Sequence, residues 1–257
     1  MSSIRYELDG PLATFTLDHP PLNLFDRAVI EDLATALGQL ETDGARALLV
    51  RAEGRTVSAG VDVHLFDGLE PADASALWRE LLALAERIED LPIPTVFAAH
   101  ALCLTAAFEL ALACDLLLAA RAARFGLVET VVGLTPAMGG TQRLAQRAGP
   151  ARAKELVMTG ELYDAETLQR WNVVNRVLPD EGFEDAARTF ARRLAEGPTI
   201  AHGATKRIVR SQIDGGARAA DEVVPEAAGA LFATDDLRRA VRSFLREGPG
   251  HATFEGR

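Results

Sequence analysis

The stretch from residue 95 to residue 120 constrains the fold most. Residues 95–99 form a short apolar run without alternation, which reads as a strand buried on both faces. Residues 105–113 read as a helix and residues 115–120 as a second buried strand. Strand, helix, strand in such close order predicts βαβ units and a largely parallel sheet.

The flanking sequence extends this pattern. Residues 4–8 and 12–17 alternate around Asp9-Gly10 and read as a β-hairpin. Asp26 reads as an N-cap, after which Val29, Leu33, Leu37 and Leu40 keep helical spacing to about residue 41. Residues 45–51 read as another buried strand. A long helix is expected over residues 72–90, ended by Pro92 and Pro94. From Ala137 onward the chain reads as helices at 141–148, 151–158, 165–170, 183–195 and 200–213. A last helix, from about 217 to 246, is expected to break near Pro225, and one strand at 173–178 interrupts the series. The tail from Gly248 reads as poorly ordered. The chain thus divides into an α/β core over residues 1–195 and a helical C-terminal region over 196–257. That region is too thin to bury its own apolar faces, which predicts a homo-oligomer.

Composition narrows the function. A net charge of −10 with no basic block argues against nucleic acid or an anionic membrane as the main partner. The apolar runs stop well short of a membrane span. Cys103 and Cys114 each sit in an apolar run, as reduced buried thiols in a cytoplasmic protein do. The five histidines show no metal-ligand spacing, so no metal is expected.

Two carboxylates stand out. Glu109 and Glu129 lie in strongly apolar surroundings, where an ionised side chain is costly unless it is used. If Thr105 caps the helix, the Ala106 N–H has no intrahelical partner, and Glu109 lies one turn on, along the same side. A bland alternative pairs Glu109 with Arg124 or Arg143. Glu129 could equally be an acid favoured at a helix N-terminus. In Ser58-Ala-Gly60-Val61-Asp62, Gly60 permits a sharp turn that could free the Val61 N–H, or simply make a turn with no ligand. The run Gly139-Gly140-Thr-Gln-Arg143 is a turn into a helix that could bind an anion, but with neither a Walker loop nor a GxGxxG fingerprint it reads as structural.

These residues resemble the crotonase superfamily, the enoyl-CoA hydratase/isomerase family. The carriers are Pro21-Leu-Asn23-Leu-Phe-Asp26, Ser58-Ala-Gly60-Val61-Asp62-Val63, Glu109-Leu-Ala-Leu-Ala-Cys-Asp115, Phe125-Gly-Leu-Val-Glu129 and Pro136-Ala-Met-Gly139-Gly-Thr-Gln-Arg143-Leu. The resemblance implies a ClpP-like spiral of ββα units with a helical trimerisation region, assembled as a homotrimer or dimer of trimers. It implies an acyl-CoA substrate and no separate cofactor. Carried over by position, the oxyanion donors are the N–H groups of Val61 and Ala106. Leu22, Leu24, Ala59, Val61, Asp62, Val63 and His64 fall where the family contacts coenzyme A, His64 near its phosphates. Glu109 and Glu129 fall on the two catalytic acids of hydratases.

The expected activity is therefore 2-enoyl-CoA hydration. The alternatives are an isomerase of the same family, or a non-catalytic acyl-CoA-binding homologue. A dehalogenase would need an aspartate nucleophile after Glu129, and residues 130–138 contain none. Where relatives carry Gly-Gly-Gly, this chain has Thr105-Ala106-Ala107. The donor N–H survives, but any dihedral reserved for glycine would be strained. Phe66, Trp78, Val132, Leu134 and Met138 are candidates for an apolar acyl pocket.

Overall fold

A computed structural model describes residues 2–257. The chain opens with strands β1 (Ile4–Asp9) and β2 (Leu12–Leu17), the expected hairpin, and helix α1 (Arg27–Leu40), capped by the Asp26 carboxylate accepting from Val29 N. Next come β3 (Ala47–Ala52), a 3-10 turn at Val63–Phe66, α2 (Pro71–Glu89), β4 (Thr95–Ala99), β5 (Leu102–Leu104), α3 (Thr105–Ala113), β6 (Leu116–Ala120) and β7 (Arg124–Gly126). After a 3-10 turn at Glu129–Val132 the chain forms α4 (Gly140–Ala148), α5 (Pro150–Thr159), β8 (Tyr163–Asp164), α6 (Ala165–Arg170), β9 (Arg176–Leu178), α7 (Phe183–Ala195), α8 (Thr199–Ala230) and α9 (Asp235–Glu247).

Six strands form one sheet in the order β1-β2-β3-β4-β6-β9, parallel except for the hairpin. Both faces are covered, which explains the unbroken apolar runs. Leu48, Val50, Phe97, Leu117 and Ala119 join the larger core with α1, α2 and α3. The alternate residues Leu49, Val96, Ala98 and Leu118 pack beside Phe183, Ala187 and Ala191 of α7. A second sheet, β5-β7-β8, stands apart. It was not expected, because strands of two or three residues carry no readable periodicity.

The C-terminal part departs from expectation in two ways. Helix α8 kinks at Gly216 (φ 79°, ψ −177°) and then runs through Pro225 unbroken. The break falls instead at a 3-10 turn, Leu231–Ala233, before Thr234 caps α9 by accepting from Leu237 N. The tail has no regular structure but is tied down. Asp236 accepts from Glu255 N and Gly256 N (both 2.8 Å), and Arg46 donates to the carbonyls of Phe254 (3.1 Å) and Gly197 (2.6 Å).

Losing the Asp236 carboxylate leaves those two amides without acceptors, at a cost of about 1–3 kcal/mol. Asp236→Ala is therefore expected to expose the last residues to rapid trimming by a non-specific protease while α1 to α7 stay protected. Equal resistance of variant and wild type would contradict this anchoring.

Candidate active site

Two loops and a helix end converge. Ala59 N donates to Leu22 O, Phe25 N to Gly60 O and Asp62 N to Phe25 O, so residues 22–25 and 59–62 are zipped into one platform. Asn23 locks it: its Nδ2 donates to the carbonyls of Glu53 and Thr56, and its Oδ1 accepts from His19 N. The other edge joins β5, where Val57 N and Ser58 N donate to Leu102 O and Leu104 N donates to Ser58 O. The Gly60 turn is thereby set against the start of α3.

The fit is close enough to require glycine. Gly60 has φ 113°, and a Cβ there would lie 2.8 Å from Thr105 Oγ1. Among the described residues, neither Val61 N nor Ala106 N donates to another backbone carbonyl. Ala106 lies in the first turn of α3, where N–H groups are unpaired and the helix dipole is positive. The strain expected from the missing glycines is present at one residue: Thr105 has φ 46°. Helix α3 takes no side-chain cap, so Thr105 is not the N-cap that the sequence suggested.

Glu109 is buried and accepts two backbone hydrogen bonds on Oε2, from Met138 N (2.8 Å) and Gly140 N (2.7 Å). That leaves Oε1 to hold or release a proton. Burial dominates and pushes its pKa up to about 7, against the opposing pull of the Gly140, Met138 and Ala137 amides and of Arg143. The alternative ion pair with Arg124 or Arg143 does not form. Arg143 instead donates to Glu89 (2.6 Å), which also receives Arg210 (2.9 Å), while Arg124 donates to Ala123 O.

Glu129 opens the 3-10 turn that Gly133 closes with φ 75°. Its Oε2 is enclosed and finds no hydrogen-bond partner among the described residues. Its pKa also rises to about 7, first through desolvation and then through the negative charge of Glu109.

An apolar cavity of about 320 Å³ adjoins the turn that grips Glu109, lined by Trp78, Leu82, Leu134, Thr135, Pro136, Ala137, Gly139 and Gln142. Of the residues expected there, Trp78 and Leu134 are present. Phe66 instead packs on Trp78, with ring centroids 5.4 Å apart, Met138 belongs to the core, and Val132 points outward. Leu22, Leu24 and Ala59 are half-buried on the platform. Asp62 caps the following 3-10 turn by accepting from His64 N, and Val63 and His64 are exposed.

The sequence reading missed how Glu109 is held. The Gly139-Gly140 run was read as a structural turn into a helix; in the structure the Gly140 N–H, together with that of Met138 just before the run, binds this carboxylate. Gly140 leaves no room for more, since a Cβ would sit 2.6 Å from Glu109 Cγ. The signal was the pair of glycines ahead of a helix, a common anion-binding arrangement, with a buried glutamate as the anion. Among the described residues no His, Cys, Asp and Glu cluster suits a metal ion, and no helix is long and apolar enough to cross a membrane.

The raised Glu109 pKa has a stability consequence. A carboxyl more easily protonated when folded favours folding fully below about pH 4.5, and that contribution is lost as pH rises through about 7. Glu109→Gln removes the titration and keeps both amide contacts. At pH 8 the variant is expected to be more stable than wild type by about 3 kcal/mol, with the difference shrinking towards pH 5. Parallel melting curves from pH 5 to 8 would show this, and a pH-independent difference would count against it.

The enoyl-CoA hydratase/isomerase family model matches residues 7–256. A Bacillus subtilis (strain 168) protein named probable enoyl-CoA hydratase is 31% identical over 250 residues, covering 96% of this chain and 97% of the relative. The 1,2-epoxyphenylacetyl-CoA isomerase of Escherichia coli (strain K12) is 34% identical over 217 residues, covering 82% and 83%. The crystal structure of an enoyl-CoA hydratase from Bacillus anthracis superposes with a TM-score of 0.91 at 26% identity, covering 99% of this chain and 100% of that one. The ββα core and helical C-terminal region are thus the crotonase fold, and the chain belongs to the enoyl-CoA hydratase/isomerase family.

Proposed function

We propose that this chain adds water across the 2,3 double bond of an enoyl-CoA thioester. The observation that carries the reading is that burial pushes both Glu109 and Glu129 up to about 7, while the Val61 and Ala106 N–H groups find no backbone acceptor. Near neutral pH such a pair shares its protons, so one carboxyl is ionised while the other is neutral. The ionised one takes a proton from water, whose oxygen bonds to C3. The π electrons shift towards the thioester oxygen, and the neutral acid then delivers a proton to C2. The N–H groups of Val61 and Ala106 receive the charge on that oxygen, each contributing on the order of 3 kcal/mol in a dry site.

The zipped platform supports the coenzyme A contacts assigned to Leu22, Leu24, Ala59, Val61, Asp62, Val63 and His64. The cavity beside Trp78 and Leu134 suits an apolar acyl chain. No cofactor is needed beyond the coenzyme A of the substrate. The exposed side chains of Phe232, Val241, Phe244 and Leu245 support a trimer or dimer of trimers that covers the C-terminal arm. The free, buried Cys103 and Cys114 fit a cytoplasmic setting.

A second reading, double-bond isomerisation, draws on the family itself, whose model is named for isomerases as well as hydratases. The retained glutamate pair favours hydration, because isomerisation shuttles one proton and uses no water. With crotonyl-CoA, the protein is expected to bleach the conjugated thioester absorbance and yield a product heavier by one water. Glu109→Gln and Glu129→Gln should each lower kcat by about 100-fold or more. A product of unchanged mass would favour the isomerase; binding without turnover across acyl chain lengths would favour a non-catalytic acyl-CoA binder.

A further inference from the structure

Thr105 carries two local costs at once. It is β-branched yet held at φ 46°, in the left-handed region that such residues rarely enter. Its side chain is more than nine-tenths buried, and Oγ1 has no hydrogen-bond partner among the described residues. Strain and an unpaired buried hydroxyl are unfavourable separately, and together they mark a residue kept for something other than stability. The position is specific. Oγ1 lies 2.8 Å from where a Gly60 Cβ would be, between the turn that bears the Val61 N–H and the helix end that bears the Ala106 N–H.

We infer that the Thr105 hydroxyl is a third hydrogen-bond donor to the thioester oxygen once that oxygen becomes an enolate. A thioester carbonyl offers two lone pairs, which the Val61 and Ala106 N–H groups would occupy. An enolate oxygen offers a third. A donor engaged only at that stage stabilises the transition state more than the bound substrate, so it raises kcat with little effect on KM. Thr105 then acts directly on the reacting atoms. The inference rests on the enolate site proposed above, but not on hydration as the outcome.

The test is exchange of the α-hydrogens of butyryl-CoA in D2O, followed by proton NMR. The reaction requires enolate formation and neither hydration nor isomerisation. Four proteins are compared: wild type, Thr105→Ser, Thr105→Ala and Thr105→Gly. Serine, which keeps the hydroxyl, should hold exchange near the wild-type rate. Alanine and glycine should slow it about tenfold or more, with the apparent affinity for butyryl-CoA little changed. Glycine relieves the strain, so Thr105→Gly should melt at or above the wild-type temperature while exchanging more slowly. A merely structural threonine would not give that combination. Undiminished exchange in the glycine and alanine variants would overturn the role of Thr105 and leave the enolate site standing. Absence of exchange in wild type would overturn both.

Discussion

The site depends on the burial of one carboxyl group. Glu109 sits on α3, a helix with every residue buried, and nothing cationic touches it. A carboxylate there is tolerable because Met138 N and Gly140 N converge on one of its oxygens. Gly140 N is a free donor because it opens α4, and Met138 N because it lies in the turn just before that helix. The start of one helix therefore supports an acid on another, and the balance leaves Glu109 close to half-protonated near neutral pH. Had Arg143 paired with it, the carboxyl would have been held ionised and lost as a proton donor. Glu89 prevents this by taking the Arg143 guanidinium itself.

The same economy shapes the other side of the cleft. The 57–62 loop adds itself to β5, and the 22–25 loop adds itself to that loop, so irregular backbone is satisfied by other irregular backbone. Among the groups left without a partner are the Val61 and Ala106 N–H, the Thr105 hydroxyl and Glu129 Oε2. They come from separate segments of the chain. Unmet hydrogen-bond donors around Gly60 and the start of α3 are what a site for a polarised carbonyl requires.

Much of this was legible before any coordinates. The hairpin at Asp9-Gly10, the buried strands and the capped α1 followed from period and turn chemistry, and the two glutamates stood out by their surroundings. What could not be read was set by distant partners. The β5-β7-β8 sheet consists of strands too short to have a pattern. The choice of Glu89 over Glu109 for Arg143 depends on where α2 ends. The tail looked loose because it opens Gly-Pro-Gly and has no helical or strand periodicity, yet Asp236 and Arg46 hold its backbone. Pro225 marked a helix break by local rule, yet the helix runs through it and breaks at Leu231–Ala233; the kink at Gly216 falls in the gap expected between the helices at 200–213 and 217–246.

The most direct check is a crystal structure of the protein with an unreactive thioester such as acetoacetyl-CoA. The account predicts the thioester oxygen about 3 Å from both Val61 N and Ala106 N, with the Glu109 and Glu129 carboxyls flanking the carbons beside it. A thioester seated elsewhere, or an oxygen in contact with neither amide, would contradict it.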